Sequence, residues 1–107
     1  MKMTFKPEHE AVLHKMMDGI DNVIAGKVFG MPGYKVNGKM AVGLFTNGIT
    51  LKVGAKRAME LIEQAGIQSF EPSAGRVWKD WVLMVDNFDA HAGLFQEAVD
   101  YVLKATS

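Results

Sequence analysis

Two Asn-Gly dipeptides, Asn37-Gly38 and Asn47-Gly48, constrain what this chain can fold into. Each lies between runs of apolar residues that favour strands. A two-residue hairpin turn requires positive φ, which Asn and Gly tolerate, so Asn-Gly in this setting is the strongest short signal for a β-hairpin. Two successive hairpins predict a three-stranded antiparallel meander with strands at residues 34–36, 39–45 and 49–53.

The spacing of apolar residues within these strands predicts which side chains face the core. Residues 49–53 alternate cleanly, with Ile49, Leu51 and Val53 inward and polar residues between them. Residues 39–45 place Met40, Val42 and Leu44 on one face and small or apolar residues on the other, which is typical of a strand covered on both sides. Another strand is expected at 25–29, before the Gly-Met-Pro-Gly break at 30–33.

Apolar residues at helical spacing predict three helices. The first begins at Pro7, which suits a first helical position, and runs to about residue 25 unless Gly19 bends or ends it near residues 18–20. Its predicted stripe is Leu13, Met16, Met17, Ile20 and Ile24. The second helix spans 54–65 and stops at Gly66, with a predicted buried stripe of Ala55, Ala58, Met59, Ile62 and Ala65. The third follows Asp86 or Asp89 and buries Phe95, Ala98, Val99, Val102 and Leu103.

The segment between the second and third helices predicts the rest of the sheet. Residues 66–76 read as a loop with a short edge strand at 68–70, and residues 78–85 read as a strand. In that strand Trp81, Leu83 and Val85 share one face, with the two intervening residues on the other. The expected fold is α+β: residues 1–107 form one domain, with an antiparallel sheet of about 4–6 strands containing the meander. The N-terminal, central and C-terminal helices pack on this sheet.

Charge and composition exclude several classes of function. Lys plus Arg and Asp plus Glu each number 12, and this balance argues against nucleic acid as a direct partner, since phosphate neutralisation needs a basic excess. The absence of cysteine excludes disulfides, thiolate metal sites and thiol nucleophiles. The N-terminal residues lack an apolar signal region and no apolar run approaches membrane-spanning length, so we expect a cytoplasmic protein with no membrane partner.

Two sequence blocks carry a resemblance to a known family. The block VFGMPGYKVNGKMAVGLF, followed by ITLKVG, and the block GIQSFEPSAGRVWKDWVLMV occur in order within residues 27–103. This pattern resembles the N-terminal domain of TfoX/Sxy-type competence regulators, and its GMP-x-aromatic-K-x-NGK segment is also similar to the wider YdhG and YjbR-like families. The resemblance implies a bacterial protein with the same α+β architecture. It also implies a regulatory, protein-binding role without a cofactor.

The resemblance assigns no catalytic residue. It implies that the shared positions Phe29, Gly30, Met31, Gly38 and Trp81 are turn glycines and core residues. Full-length competence regulators carry a second, helical domain that these 107 residues do not contain. The chain is then either a stand-alone relative or a fragment of a longer protein.

A metal-binding row on the first helix is the main alternative from a different functional class. Glu10, His14 and Asp18 follow at i, i+4 and i+8, which places carboxylate, imidazole and carboxylate along one side of a helix. Such a row can hold Zn²⁺ or Fe²⁺, but it also lies beside the apolar stripe, where solvated side chains belong. The likeness to the YdhG type, with its link to iron handling, favours a metal- or small-ligand-binding protein by analogy of fold alone.

A second candidate site lies where a strand leads into a helix. Lys52, Lys56 and Arg57 could hold an anion with the N–H groups of the helix start, since Gly54 permits close approach of the backbone. Arg76 and Lys79 could reach the same region from the later loop. No GxxxxGK[ST] or GxGxxG pattern accompanies these residues, and a solvated basic face is the commoner explanation for them.

The partner-binding face is expected around one turn and one tryptophan. Trp78 and Trp81 are three residues apart and so lie on opposite faces of a strand, which predicts one in the core and one outside unless both are buried. An exposed Trp78 beside Met31, Pro32 and Tyr34 would anchor an unidentified protein partner. A homodimer by edge pairing is expected if the strand at 49–53 or the Trp81 strand is an open edge.

Enzymatic function is not expected. Seven Ser and Thr residues provide hydroxyls, but none lies in a G-x-S-x-G motif or next to an evident base. The sequence therefore favours a non-catalytic interaction domain, with the metal or small-ligand reading as the alternative.

Overall fold

The computed structural model describes residues 5–28 and 30–107, and its architecture confirms the α+β class. Phe29 and residues 1–4 lie outside the described residues, so the last residue of the predicted strand at 25–29 is among those not described. The helices are α1 (Pro7–Met17), α2 (Ala55–Leu61) and α3 (Gly93–Thr106), with a 3-10 turn at Asp89–His91. The strands are β1 (Ile24–Val28), β2 (Met31–Val36), β3 (Lys39–Phe45), β4 (Gly48–Lys52), β5 (Ile67–Ser69) and β6 (Trp81–Met84).

The strands form one antiparallel sheet in the order β1-β2-β3-β4-β6-β5, which contains the predicted meander as β2-β3-β4. The first hairpin turns at Asn37 and Gly38, with φ of 52° and 80°, as predicted. The second turn is shifted by one residue, because Phe45 pairs with Gly48 and the connecting residues are Thr46 and Asn47. Gly48 is instead the first residue of β4, where the main chain of Met84 leaves no room for a side chain.

A β-bulge in β3 changes the alternation expected from the sequence. Tyr34 pairs with Val42 and Lys35 pairs with Met40, so Ala41 is an extra residue on β3. The bulge places Met40 against the cluster on the opposite face from Val42, and the prediction that both share a face is wrong. An inserted residue shifts the two-residue period of a strand by one.

The sheet carries a core on each face. The larger core lies between one face and the helices, and α1 contributes Leu13 while α3 contributes Phe95. The smaller cluster on the other face consists of buried Phe70, Trp81 and Leu83, with Met40, Phe45, Trp78 and Val85 packed around it. The predicted alternation of β6 is confirmed, because Trp81 and Leu83 join the smaller cluster while Val82 and Met84 join the larger.

Helix α1 ends close to Gly19, the earlier of its two predicted ends, whereas α2 ends earlier than predicted. Asp18 is extended at the end of α1 and Gly19 has φ of 84°, so Ile24 lies in β1 and is 74% exposed instead of completing a helical stripe. Helix α2 ends at Leu61, well before Gly66, and buries Ala58 and Leu61. The predicted stripe is wrong for its other four members, since all are exposed: Ala55, Met59, Ile62 and Ala65.

The open edges of the sheet also differ from those considered in the sequence. Strands β4 and β6 are paired on both sides, so neither offers the edge expected for dimerisation. The terminal strands are β1 and β5, and β5 matches the short edge strand predicted one residue later. None of the helices in the described part of the chain has the length and apolar character needed to cross a bilayer.

Candidate functional site

An apolar groove lies between α2 and the segment that leads into β6. Across the described residues, three of the four most exposed large apolar side chains line it: Met59 at 72%, Val77 at 50% and Ile62 at 38% exposure. The groove has a volume of about 290 Å³. Its lining consists of Ala55, Ala58, Met59, Ile62, Ser69, Val77, Trp78, Lys79 and Trp81.

The wall formed by α2 is positioned by the larger core. Ala58 and Leu61 are 5% and 3% exposed and dock the helix on that core. Residues one position further along the helix point about 100° away, so Met59 and Ile62 turn from the core towards solvent and the groove. Docking by two small or apolar contacts thus leaves a second apolar row uncovered.

The opposite wall is held by aromatic packing and main-chain hydrogen bonds. The Trp78 N–H donates to the Phe70 carbonyl at 2.9 Å, and the Trp81 N–H donates to the Trp78 carbonyl at 3.1 Å. The half-buried Trp78 ring meets Phe70 edge to face, with centroids 5.6 Å apart, and lies 6.0 Å from Trp81. These contacts fix the wall before any partner arrives.

The loop before this wall is closed on itself. The Gly75 N–H donates to Oε2 of Glu71 at 2.8 Å, and Ser73 and Arg76 form a β-bridge. Arg76 is paired within this loop and does not line either of the described recesses that contain Lys52 and Lys56.

A basic rim continues from the groove. Lys79 lines the groove and also a neighbouring recess that contains Lys52 and Asp80, with Trp78 and Trp81 shared by both. Within the described residues, neither lysine forms an ion pair. Lys52 and Lys79 thus line the same recess at the edge of an apolar surface, a proximity that the sequence allowed but did not decide.

The predicted anion site at Lys52, Lys56 and Arg57 is not assembled. The Arg57 guanidinium is occupied by two carboxylates: Nε donates to Oε2 of Glu97 at 2.7 Å, and Nη1 donates to Oε1 of Glu60 at 3.1 Å. These two carboxylates raise the pKa of Arg57 and supply the negative charge that an anion would bring. Lys56 lines one recess together with Arg57 and Tyr101, whereas Lys52 lines a different recess.

Two backbone N–H groups immediately before α2 are also in use. The N–H groups of Val53 and Gly54 donate to the Asp80 carbonyl at 2.9 and 3.0 Å. Gly54 does permit a close approach, as predicted, but the approaching group is the Tyr101 ring. The sequence could not distinguish an internal neighbour from a ligand.

The predicted metal row is used for internal contacts. Nδ1 of His14 is hydrogen-bonded to the Tyr34 hydroxyl at 2.7 Å, and Nε2 lies 3.2 Å from Oε2 of Glu10. Asp18 follows the last residue of α1 in an extended conformation and so leaves the helical row. No group of three or more potential metal-ligating side chains comes together in residues 5–28 and 30–107.

The four residues predicted to bind a partner do not form one surface. Met31 is 1% exposed and belongs to the larger core, so its side chain offers no contact surface and its burial agrees with the role implied by the resemblance. Tyr34 packs at the margin of the same core, and Pro32 is half-buried on β2. Trp78 packs with the smaller cluster and is the one member that lines the groove.

Other positions shared with the resemblance behave as turn and core residues. Gly30 and Gly38 have φ of 75° and 80°, and Trp81 is 6% exposed. Sequence reasoning missed Met59, Ile62 and Val77 as surface residues. The rows 55/59/62 and 58/61 are both apolar at helical spacing, so periodicity alone could not show which one faces the core.

The fold and this surface define a small α+β domain with an apolar, basic-rimmed groove at one end of its sheet. Comparisons with protein-family models, curated proteins and solved structures found no match.

Proposed function

We propose that this domain is a non-catalytic, regulatory protein-interaction module that binds an apolar side chain of a partner protein in the groove. The observation that carries the proposal is the convergence of Met59, Ile62 and Val77 on one groove. Single exposed apolar side chains are ordinary, whereas several around one concave surface mark interaction sites. The regulatory part of the proposal rests on the resemblance to TfoX/Sxy-type regulators.

Covering this groove would be favourable. Removing apolar surface from water stabilises a complex by about 25 cal/mol per Å², and methionine adapts to differently shaped partners. The wall around Trp78 is already fixed by Phe70 and Trp81, so little side-chain entropy is lost there on binding. These properties suit a docking site that receives one anchoring residue.

The lining of the groove favours an apolar side chain over a polar metabolite. Pockets for small ligands usually measure about 300–1,000 Å³ and bury most of the ligand behind a few polar groups. This groove has a volume of about 290 Å³, and Lys79 is the only charged residue among its described lining residues. The metal- or small-ligand alternative gains no support from the described geometry of Glu10, His14 and Asp18.

The proposal is tested by panning a phage-displayed library of random linear peptides against the full chain. We expect the selected peptides to share an apolar residue and to lose at least about fivefold in affinity for the Met59→Ser and Val77→Ser variants, as for interface residues worth 1 kcal/mol or more. The Ile24→Ser variant is a matched control, since Ile24 is as exposed as Met59 but lies on β1.

Two results would contradict the proposal. One is the absence of any enriched peptide, and the other is binding that Ile24→Ser weakens as much as Met59→Ser does. Melting curves of the three variants establish that each is folded before affinities are compared.

A further inference from the structure

The groove lies beside an open strand edge, and this juxtaposition indicates how a partner is held. Strand β5 is terminal in the sheet, and no described strand pairs with its outer side. Its last residue, Ser69, also lines the groove. A chain running along the outer side of β5 would therefore pass the groove within one or two residues.

We infer that the partner segment is an extended, acidic peptide that adds to β5 as a further antiparallel or parallel strand. An apolar side chain of this peptide enters the groove near Ser69, and a carboxylate meets Lys79 and Lys52. This inference rests on the proposed function and specifies the chemistry of its partner. In such strand addition, main-chain hydrogen bonds supply affinity and a side-chain pocket supplies specificity.

The presence of one pocket beside a strand edge favours an extended segment over a helix. An amphipathic helix needs anchors at i, i+3, i+4 and i+7, which extend about 10 Å and require a groove that is open along its whole length. One pocket beside a strand edge matches the two-residue repeat of a strand, in which alternate side chains face the same way.

The positive charges of Lys79 and Lys52 favour an acidic partner segment. Lys79 projects at the groove and Lys52 at the adjoining recess, and among the described residues no carboxylate lies within ion-pair distance of either. Asp80 shares the recess, so the local balance is two cations to one anion. On the far side of α2, Glu60 is already paired with Arg57. A carboxylate on the partner would complete the balance at the rim.

The experiment uses the tightest peptide from the library selection as its probe. We expect that replacing its acidic residues by their amides weakens binding to the full chain about two- to fivefold per contact, and that the protein variant Lys79→Gln does the same. Lys104→Gln, on the exposed end of α3, is the matched lysine control and should leave affinity unchanged. Raising the salt concentration should reduce the difference between acid and amide peptides.

Strand addition is tested separately from charge. N-methylation of alternate peptide residues removes main-chain donors, and in one of the two registers it should weaken binding about two- to tenfold per lost hydrogen bond. The Val85 N–H donates to the Gly66 carbonyl, so the alternation of an antiparallel pair directs the Gln68 N–H towards β6 and the Ser69 N–H outward. The amide signal of Ser69 should shift in the complex and exchange more slowly with solvent. This signal reports β5 directly, because a helical peptide lying only in the groove would leave its exchange unchanged.

The outcomes separate this inference from the function it rests on. Peptides that bind through Met59, show no acidic preference and tolerate N-methylation would overturn the extended acidic partner and leave the docking site standing. A library that yields no peptide would overturn both. Peptides whose binding requires Lys79 and their own main-chain donors and carboxylates would support the docking site and the extended acidic partner alike.

Discussion

The guanidinium of Arg57 donates two hydrogen bonds to the carboxylate of Glu97 and so links α2 to α3. Nε donates to Oε2 at 2.7 Å, and Nη2 donates to Oε1 at 3.3 Å. Both side chains remain more than one third exposed. The same contact removes Arg57 from any anion site and fixes the helix that forms one wall of the groove.

We predict that the Arg57–Glu97 pair stabilises the fold by about 0.5–1 kcal/mol, the upper part of the range for exposed ion pairs, because its geometry is bidentate. The measurement is a double-mutant cycle in urea with Arg57→Gln, Glu97→Gln and the double variant. Glu60→Gln serves as comparison, since Glu60 makes one described bond to Arg57 and is more exposed. A coupling energy within error of zero, or one that salt does not reduce, would refute the prediction.

Gly54 is required by the approach of Tyr101. Its φ is 94°, and a Cβ placed there would lie 2.8 Å from Cε1 of Tyr101. We predict that Gly54→Ala lowers the free energy of unfolding by about 1–3 kcal/mol through backbone strain, with steric conflict in addition. Thermal or urea denaturation measures the loss.

The control for Gly54 is Gly93, where an added Cβ meets nothing within 4 Å. Gly93 begins α3, so Gly93→Ala should be neutral or stabilising by up to about 1 kcal/mol. Equal effects of the two substitutions would show that the Tyr101 contact and the positive φ do not matter.

His9 makes stability depend on pH. It is 6% exposed, its ring packs edge-on against Phe88, and within the described structure its Nδ1 has no hydrogen-bond partner. Burial lowers the pKa of His9 below its usual value of 6.5, and Lys6 lowers it further, while Glu8 acts in the opposite direction.

A lowered pKa in the folded state means that the unfolded chain binds the proton more readily. The His9 contribution is therefore fully present above pH 6.5 and is lost as pH falls through that value to the lower pKa of the folded state. We predict that the melting temperature of the His9→Leu variant decreases less between pH 7.5 and pH 5 than that of the wild-type chain. If the melting temperatures of the two proteins decreased equally over that pH range, His9 would not be the source of the pH dependence.

Tyr34 ties β2 to α1 through His14. The Tyr34 hydroxyl and Nδ1 of His14 are 2.7 Å apart, and burial raises the pKa of Tyr34, as do Asp18 and Glu10. The hydroxyl therefore stays protonated at neutral pH. We predict that Tyr34→Phe costs about 0.5–1 kcal/mol in the free energy of unfolding, the lower part of the range for a hydrogen bond because His14 is exposed.

A cycle with His14→Gln tests whether this loss belongs to the hydrogen bond. If the Tyr34→Phe effect is the same in the His14→Gln background, the two residues are not coupled. Adding Zn²⁺ to the wild-type chain in the same assay should not raise its melting temperature, since His14 already contacts Tyr34 and Glu10.

Local residue chemistry predicted most of the fold. Asn37 and Gly38 sit in a turn that needs positive φ at both positions, and few other residue pairs accept that geometry. The alternation of Trp81, Val82, Leu83 and Met84 correctly assigned four side chains to two cores, because a strand has no third face. By contrast, the bulge at Ala41 depends on the pairing of two strands, and the sequence of β3 alone does not predict it.

The sequence by itself determined the order of elements, the two-sided sheet and the absence of thiol chemistry, since turn preference, periodicity and composition act over a few residues. The position and lining of the groove were determined only by the tertiary structure. Ala58 and Leu61 face the core while Met59 and Ile62 face outward, and the choice between these two apolar rows depends on which one finds partners in distant β6 and β5. Local periodicity is equal for both rows, and burial is a property of the packed chain.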